Sequence, residues 1–260
     1  MYFDQIKKIM EKKFIRVICP APVLNIEDFD SVFNKSGKLK TCDRGHIRNL
    51  EFIALKNMIF EIIFENQNIL KIKSTFYKGD NLYIDKRFTK EIKKFKFFKP
   101  KPILNKKRII SYFISAMGSK YIWGGNFYKG INKILKFYPS QNISNQNSRI
   151  LKGVDCSGLL YEATNGYTPR NTSELINFGQ IIKVENKNID EIIKTLNPLD
   201  LVIYKGHVII IFDKKYTIES REKFGVVKTK IKKRLLEISK EKRFTDNFYN
   251  EKSIVIRRWI

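Results

Sequence analysis

Short apolar runs separated by polar turns dominate the first third of the chain. This spacing predicts short strands that form a small β-barrel. The predicted strands are residues 14–18, 52–55, 59–64, 69–72 and 81–85. Residues 99–102 (KPKP) then predict a linker. The helix expected after this linker has an apolar face made of Ile109, Ile110, Phe113, Ala116 and Met117.

A second helix is predicted to begin at Cys156. Its apolar positions follow the i, i+3, i+4, i+7 spacing of one helical face, and the Asn-Gly pair at 165–166 supplies a stop. Asp155 directly before it can cap the first turn. The apolar face consists of Cys156, Leu159, Leu160 and Ala163.

The last third of the chain predicts a buried β-hairpin. After residues 201–204, two further strand-forming runs begin at His207 and Tyr216. Pairing Phe212 with Tyr216 places Glu219 diagonal to His207. Two long side chains can span the distance between these backbone positions and form a hydrogen bond. A register slip of one residue would move Glu219 to the other face of the sheet.

Three residues from these elements could perform nucleophilic catalysis. Cys156 lies in a first helical turn, where the unpaired N–H groups and the helix dipole favour thiolate. His207 follows after 51 residues (207 − 156) and Glu219 after another 12 (219 − 207). Taken singly, each has a simpler interpretation: a small buried hydrophobe, a structural histidine and a solvated carboxylate. Together they can carry out acyl transfer.

Several short motifs occur in the order found in one known enzyme family. Over residues 104–260 the chain resembles the NlpC-type bacterial cell-wall peptidases, which are papain-like cysteine enzymes. Glu219-Ser220 and Gly225-Val226 fall where that family has a third polar residue and a Gly-Val pair. The other matching segments are residues 121–125 (YIWGG), 153–159 (GVDCSGL), 169–172 (PRNT) with Gly179, 198–201 (PLDL) and 207–208 (HV).

The resemblance implies an α+β fold in two domains. Residues 104–260 would form a papain-like domain in which the nucleophile helix packs on an antiparallel sheet. Residues 1–98 would form an SH3-like β-barrel that closes one end of the cleft and restricts the enzyme to short peptides.

The resemblance also implies a role for each site residue. Cys156 would attack an amide carbonyl, His207 would accept the thiol proton and then protonate the leaving amine, and Glu219 would orient the imidazole. The Tyr121 hydroxyl would stabilise the oxyanion together with the Cys156 backbone N–H.

The expected substrate is a peptidoglycan peptide cut between D-γ-glutamate and diaminopimelate, in particular a recycling peptide with a free N-terminal L-Ala. Asp155 would bind the free amino group in addition to capping the helix, since the cap uses one carboxylate oxygen. Ser157 would line the same pocket. Trp123 either forms a wall of the cleft or packs in the core.

The chain departs from the family pattern at several points. Leu199 and Ile209 replace glycines, and Glu219 stands where a second histidine is commonest. Residues 126–152 are an insertion, for which we predict a loop at the rim of the cleft. The altered third residue leaves open a non-catalytic module that binds wall peptides or proteins. A papain-like acyltransferase or deamidase is a further alternative.

Composition limits cofactors and localisation. Three cysteines and two histidines show no metal-site spacing, so no metal or other cofactor is expected, and His46 is interpreted as a structural or surface residue. Residues 1–8 lack the apolar core of a signal peptide, and no 18-residue apolar span exists. These features predict a bacterial cytoplasmic protein without stable membrane insertion. Oligomeric state is not predicted.

The net charge of +25 raises the alternative of nucleic-acid binding. Residues 228–236 form a basic amphipathic stretch, but lysines are spread along the whole chain and no nucleic-acid-binding motif occurs. We therefore interpret the charge as solvated surface and expect no nucleic-acid partner. A positive field could speed the capture of peptides that carry several carboxylates.

Overall fold

A computed structural model describes residues 12–34, 36, 38–93, 102–140 and 149–260. Three segments singled out in the sequence lie outside these ranges: residues 1–8, the linker residues 99–101, and the polar run 141–148 of the insertion. Within the described ranges, none of the helices has the length and apolar character needed to cross a membrane.

The first part of the chain forms a seven-stranded sheet in which all neighbouring strands are antiparallel. Its strand order is β3-β2-β6-β5-β4-β1-β7. The strands are β1 (Phe14–Val17), β2 (Ala21–Leu24), β3 (Leu50–Ala54), β4 (Ile59–Asn66), β5 (Ile69–Lys73), β6 (Tyr83–Asp85) and β7 (Thr89–Ile92). A short helix α1 (Phe29–Val32) follows β2, and a 3₁₀ turn (Lys86–Phe88) precedes β7.

Each of the five predicted runs contains or overlaps a strand of this sheet, whereas β2 and β7 were not predicted. β2 includes Pro22, which lacks a backbone donor, and β7 has no fully buried residue. The assignment of this sheet as an SH3-like barrel stays a prediction.

The last part of the chain forms a second, mainly antiparallel sheet. Its order is β10-β16-β11-β12-β13-β14, and β15 pairs parallel to β16. The strands are β10 (Gln180–Ile181), β11 (Leu201–Tyr204), β12 (His207–Ile211), β13 (Tyr216–Arg221), β14 (Gly225–Lys230), β15 (Arg243–Phe244) and β16 (Ser253–Arg258). A short ribbon of β8 (Asn126–Phe127) and β9 (Gly153–Val154) lies between the two parts in sequence.

Six further helices are described. They are α2 (Lys106–Ala116), α3 (Lys133–Phe137), α4 (Cys156–Ala163), α5 (Thr172–Leu175), α6 (Ile189–Thr195) and α7 (Ile231–Ser239). α2 buries Ile109, Phe113 and Ala116, as predicted, whereas Met117 ends the helix and is 41% exposed. The chain is therefore a mixed α+β protein with antiparallel sheets.

Helix α4 is buried on nearly every side. Its apolar residues share a core with α2 and with the inner faces of β12 and β13, where Val208, Ile210 and Ile218 are fully buried. A fully buried aliphatic side chain contributes roughly 1.5–3 kcal/mol relative to an exposed one, so this packing fixes the position of α4 firmly. The residue that begins α4 is therefore held in place by the core.

The insertion at 126–152 packs on the first sheet. Ile131, Ile134, Tyr138 and Leu151 belong to the hydrophobic core of that sheet. Arg149 is fully buried and donates hydrogen bonds to the backbone carbonyls at the end of α1 and α3. The prediction of a rim loop is wrong for the described residues of the insertion, because their side chains are used for this packing.

Candidate active site

Asp155 positions the start of α4. Its Oδ1 accepts the Gly158 backbone N–H at 2.6 Å, which is the predicted N-cap. Cys156 is consequently the first helical residue, with its backbone N–H at the positive end of the helix. The Cys156 side chain is 5% exposed and lines a cavity of about 400 Å³, and its Sγ lies 3.9 Å from the Gly206 carbonyl oxygen.

The hairpin β12–β13 brings His207 and Glu219 together. Ile210 pairs with Ile218 and Ile211 with Thr217, which is the predicted register. His207 Nε2 lies 2.6 Å from Glu219 Oε2, and the Glu219 side chain is fully buried. The diagonal contact expected from the sequence is thus present in the structure.

Cys156 and Glu219 together change the charge state of His207. Burial lowers the pKa of His207, but the charge of Cys156, a hydrogen bond to it and the contact with Glu219 outweigh burial and raise the pKa to about 9. The ring is therefore held as an imidazolium near neutral pH, between a sulfur on one side and a carboxylate on the other.

Arg234 on α7 completes this cluster and was missed by the sequence analysis. Its Nε donates to Glu219 Oε1 at 2.6 Å and its Nη2 donates to Oε2 at 2.8 Å. Burial raises the pKa of Glu219, but His207 and Arg234 outweigh it and lower the pKa. Arg234 is 4% exposed, so the interpretation of residues 228–236 as solvated surface is wrong for this residue.

A signal for Arg234 is present in the sequence. It lies at an apolar-face position of α7, whose buried residues are Ile231, Arg234, Leu235 and Ile238. A charged residue within an i, i+3, i+4, i+7 apolar pattern indicates a buried ion pair, because an unpaired buried charge is costly.

The second oxygen of Asp155 is not free, contrary to the premise of its predicted role as an amine anchor. Arg170 donates to both oxygens, with Nη1 at 2.9 Å from Oδ1 and Nη2 at 2.6 Å from Oδ2. Oδ2 also accepts the Gly124 backbone N–H at 3.0 Å. Ser157 joins the same cluster, since its Oγ donates to Asp155 Oδ1 and accepts from Arg170.

Both Asp155 and Ser157 line the cysteine cavity, as expected, but their polar atoms are engaged within the protein. The negative charge of Asp155 is offset by a fully bonded, buried guanidinium. The carboxylate is consequently a weaker partner for a substrate ammonium than the sequence indicated.

Tyr121 and Trp123 form the wall beside Cys156. Burial and the neighbouring Asp155 and Cys156 raise the pKa of Tyr121, so its phenol stays protonated and able to donate a hydrogen bond. Trp123 is 38% exposed and lines the cavity, which excludes ordinary core packing. These positions are compatible with the predicted roles, and the role of Tyr121 in oxyanion stabilisation stays a prediction.

His46 supports this wall from the first part of the chain. Its ring stacks on Trp123 with centroids 5.3 Å apart and an interplanar angle of 17°, and its Nε2 lies 3.6 Å from Glu222. It is 6% exposed, so it is a structural rather than a surface residue.

Strand β3 and the loops beside the first sheet contribute directly to the cysteine cavity. Arg48, Glu51 and Tyr77 line it, and the Arg48 guanidinium lies 4.2 Å from the Trp123 ring centroid. The Tyr77 hydroxyl donates to Glu51 Oε2 at 2.5 Å. None of these three residues lies in a motif that indicates a site.

Gly124 allows this close approach between the two parts. Its φ is +74°, and a Cβ at this position would lie 2.3 Å from the Leu50 carbonyl oxygen. The second glycine of the YIWGG segment, Gly125, accepts the Asp155 backbone N–H at 2.9 Å through its carbonyl.

A second cavity, of about 460 Å³, adjoins the first on the histidine side. The two share Tyr121, Trp123 and Gly206. We call them the cysteine groove and the histidine groove. His207 lines the histidine groove together with Lys205, Arg221, Lys242 and three glutamates, Glu222, Glu237 and Glu241.

Within the described ranges, no group of three or more His, Cys, Asp or Glu side chains is arranged to hold a metal ion. The chemistry available at the two grooves is that of the thiol, the imidazole and the phenol. Such a set can form and break an acyl–sulfur bond.

Comparison with known proteins gives only distant similarities. No protein-family model and no curated protein matches the chain. An NlpC/P60 family protein from Bacillus cereus aligns at 16% identity and a TM-score of 0.39, covering 96% of this chain and 64% of that one. NlpC2 from Trichomonas vaginalis aligns at 15% identity and a TM-score of 0.35, covering 95% of this chain and 72% of that one.

The peptidoglycan hydrolase RipB from Mycobacterium tuberculosis aligns at 21% identity and a TM-score of 0.35, covering 61% of this chain and 68% of that one. The chain spans less than two thirds of the length of the Bacillus protein. At these TM-scores the alignments assign neither a reaction nor a substrate to this chain.

Proposed function

We propose that the chain is a cysteine peptidase that acts on peptidoglycan peptides. The observation that carries the proposal is the cluster of Cys156, His207 and Glu219 at the junction of two grooves. The thiol begins a buried helix, the imidazole is held as a cation between thiol and carboxylate, and a groove extends on either side. This is the arrangement that nucleophilic attack on an amide requires.

The proposed reaction has two steps. Cys156 Sγ attacks the amide carbonyl, the C–N bond breaks, and His207 gives its proton to the leaving amine. Water then adds to the thioester while His207 takes a proton from it, and the thiolate leaves. The Tyr121 hydroxyl and the Cys156 N–H would stabilise the oxyanion in both steps.

We assign the two halves of the substrate to the two grooves. His207 lines the histidine groove, so the leaving amine lies there and the acyl part lies in the cysteine groove. Lys205 is paired with Glu251 and Arg221 with Glu237, so we assign contact with a carboxylate of the leaving group to Lys242, whose Nζ donates to the Glu251 backbone carbonyl. Diaminopimelate carries two carboxylates. The bond between D-γ-glutamate and diaminopimelate is proposed on the resemblance of the sequence motifs to the NlpC-type family.

An acidic group in the cysteine groove favours substrates with a free N-terminal amine. Because Arg170 neutralises Asp155, Glu51 is the groove carboxylate that is not paired with an arginine. We therefore propose L-Ala-γ-D-Glu-diaminopimelate, as a recycling peptide, for the substrate. The first sheet would then select short peptides through Arg48, Glu51 and Tyr77.

The test is to incubate the protein with this tripeptide and to follow release of L-Ala-D-Glu by mass spectrometry. Wild type should release the dipeptide and Cys156→Ala should release none, while Cys19→Ala, which changes a thiol in the turn between β1 and β2, should retain the activity. Absence of release by wild type, or equal release by Cys156→Ala, would refute the proposal.

The observation that favoured a non-catalytic module, one that binds wall peptides or proteins, no longer favours it. That alternative rested on Glu219 in place of a second histidine, but Glu219 contacts His207 at 2.6 Å and is fixed by Arg234. Hydrolysis and transfer share the first step, so the assay is repeated with an added amine acceptor: a hydrolase should still give mainly the free acid, whereas a transferase should give mainly the new amide.

A further inference from the structure

A buried ion pair lies directly behind the histidine. The Glu219 side chain is fully buried, and both of its oxygens accept from Arg234. Only Oε2 also contacts His207. The carboxylate is thus fixed at two points by one rigid guanidinium, and its free rotation about the last side-chain bond is lost.

The charged and titratable groups that face His207 come from four elements. Cys156 lies on α4, Glu219 on β13 and Arg234 on α7, and the Tyr204 ring on β11 has its centroid 5.4 Å from that of His207. Burial raises the pKa of Tyr204 to about 12, so this neighbour is uncharged over the working range. Glu219, with Arg234 behind it, therefore supplies the charges on the Nε2 side of the ring.

Arg234 is itself part of a longer chain of charges. Its Nη1 lies 3.0 Å from Glu237, which also accepts from Arg221 at the histidine groove. Burial lowers the pKa of Arg234, but the hydrogen bond to Glu219 and its charge outweigh burial and raise it. The guanidinium therefore remains charged over the range in which His207 titrates.

We infer that Arg234 is a positioning residue for His207, acting through Glu219. The guanidinium orients the carboxylate so that Oε2 faces Nε2, and its positive charge partly offsets the carboxylate charge felt by the imidazolium. The inference rests on the proposed function, since it concerns the same catalytic histidine. Glu219, the third member of the triad, would then depend on a fourth residue, Arg234, for its orientation.

Loss of Arg234 alone should damage the site in a specific way. A buried carboxylate without its partner is costly, so Glu219 would either shift or exert its full charge on His207. In Arg234→Met we expect kcat to fall by about tenfold or more, the cost typical of losing a partner that orients a metal-binding histidine. The His207 titration midpoint should rise, because a nearby positive charge has been removed.

Replacement of Glu219 by Gln should be rescued by removal of Arg234. With Arg234 present, the Gln carbonyl is drawn to the guanidinium and its NH₂ group faces the His207 Nε2–H, so two donors oppose each other. Without Arg234 the amide can turn and accept from His207. The double variant Glu219→Gln/Arg234→Met should therefore be more active than Glu219→Gln alone, and its His207 titration should return towards the wild-type midpoint.

Two further variants separate the contributions. Arg234→Lys keeps the charge but cannot make the two-point contact, so its titration should stay near wild type while kcat falls. Lys233→Met removes a charge from the exposed neighbouring position of α7 and should change neither quantity. Arg234→Lys and the double variant keep the test available if Arg234→Met does not fold.

The experiment measures kcat and KM on the tripeptide and the His207 titration by NMR for all five variants. The chain has two histidines, so a His46 variant assigns the signal. An unchanged titration in Arg234→Met, or a double variant no better than Glu219→Gln, would show that Arg234 only docks α7. If wild type does not cut the tripeptide, the proposed function fails, while the titration still reports whether Arg234 positions His207.

Discussion

At the scale of single residues, the charge of the cysteine groove depends on which carboxylate is already paired. Asp155 accepts five hydrogen bonds: one each from Gly124, Gly158 and Ser157, and two from Arg170. Arg170 is also its ion-pair partner. Glu51 accepts from the neutral donors Tyr77 and Asn25. Glu51 is consequently the residue we expect to bind a substrate ammonium.

Glu51→Gln tests this expectation. The amide keeps the size of the side chain and removes the charge, while its NH₂ group replaces one of the two acceptors that Tyr77 and Asn25 use. We expect kcat/KM for the free-amine tripeptide to fall about tenfold. The N-acetylated tripeptide is the matched control, because it has no ammonium group. Equal losses for the two peptides would exclude Glu51 as the amine-binding residue.

The residues that the sequence revealed are those with a local pattern. Cys156 was identified from its place at the start of a helix, and Glu219 from the register of a hairpin with His207. Arg234, Glu51 and Tyr77 reach the site from elements whose relative placement the sequence does not give. The pairing of Asp155 with Arg170 was missed for the same reason, although both lie in recognised motifs.

At the scale of elements, α4 depends on Gly158 for its place in the core. A Cβ at this residue would lie 2.1 Å from the Gly125 carbonyl oxygen and 2.9 Å from Asp155 Oδ1. The helix therefore approaches the YIWGG segment closely enough for the Asp155 cap and the ion pair with Arg170 to form. A glycine that would weaken an isolated helix is required here by packing.

Gly158→Ala should destabilise the protein although alanine is the better helix former. The clash with backbone should lower the free energy of unfolding by about 1–3 kcal/mol, a typical cost of overpacking, measured by denaturant titration. Ser111→Ala, on the exposed face of α2, is the control and should be neutral or slightly stabilising. A Gly158→Ala protein as stable as wild type would contradict the close contact.

Element predictions succeeded where periodicity was strong. α4, α2 and the β12–β13 register follow from apolar spacing, whereas β2 contains a proline and β7 has three polar residues out of four, so neither has a strand pattern of its own. Those two strands form because the neighbouring strands of the first sheet supply their hydrogen-bond partners.

At the scale of the whole molecule, the two sheets are joined through the segment between them. The Asn126 side chain pairs with the Ile53 backbone in both directions, at 2.7 and 2.8 Å, and Arg149 bonds the carbonyls of Phe33 and Asn34. The first sheet is thus held against α4 and can form one wall of the cysteine groove. The sequence could not show this, because an insertion has no periodicity that indicates its partner.

The most direct measurement is the rate at which iodoacetamide alkylates Cys156 between pH 5 and pH 10, resolved by mass spectrometry, with Cys19 as internal reference. We predict that Cys156 reacts faster than Cys19 at pH 6, because the His207 imidazolium is its neighbour, and that this advantage declines as the pH rises through about 9, where His207 loses its proton. His207→Ala should react slowly at pH 6 and only accelerate with rising pH, like an unpaired thiol. A wild-type Cys156 that reacts no faster than Cys19 at pH 6, or a rate that His207→Ala leaves unchanged, would contradict the account.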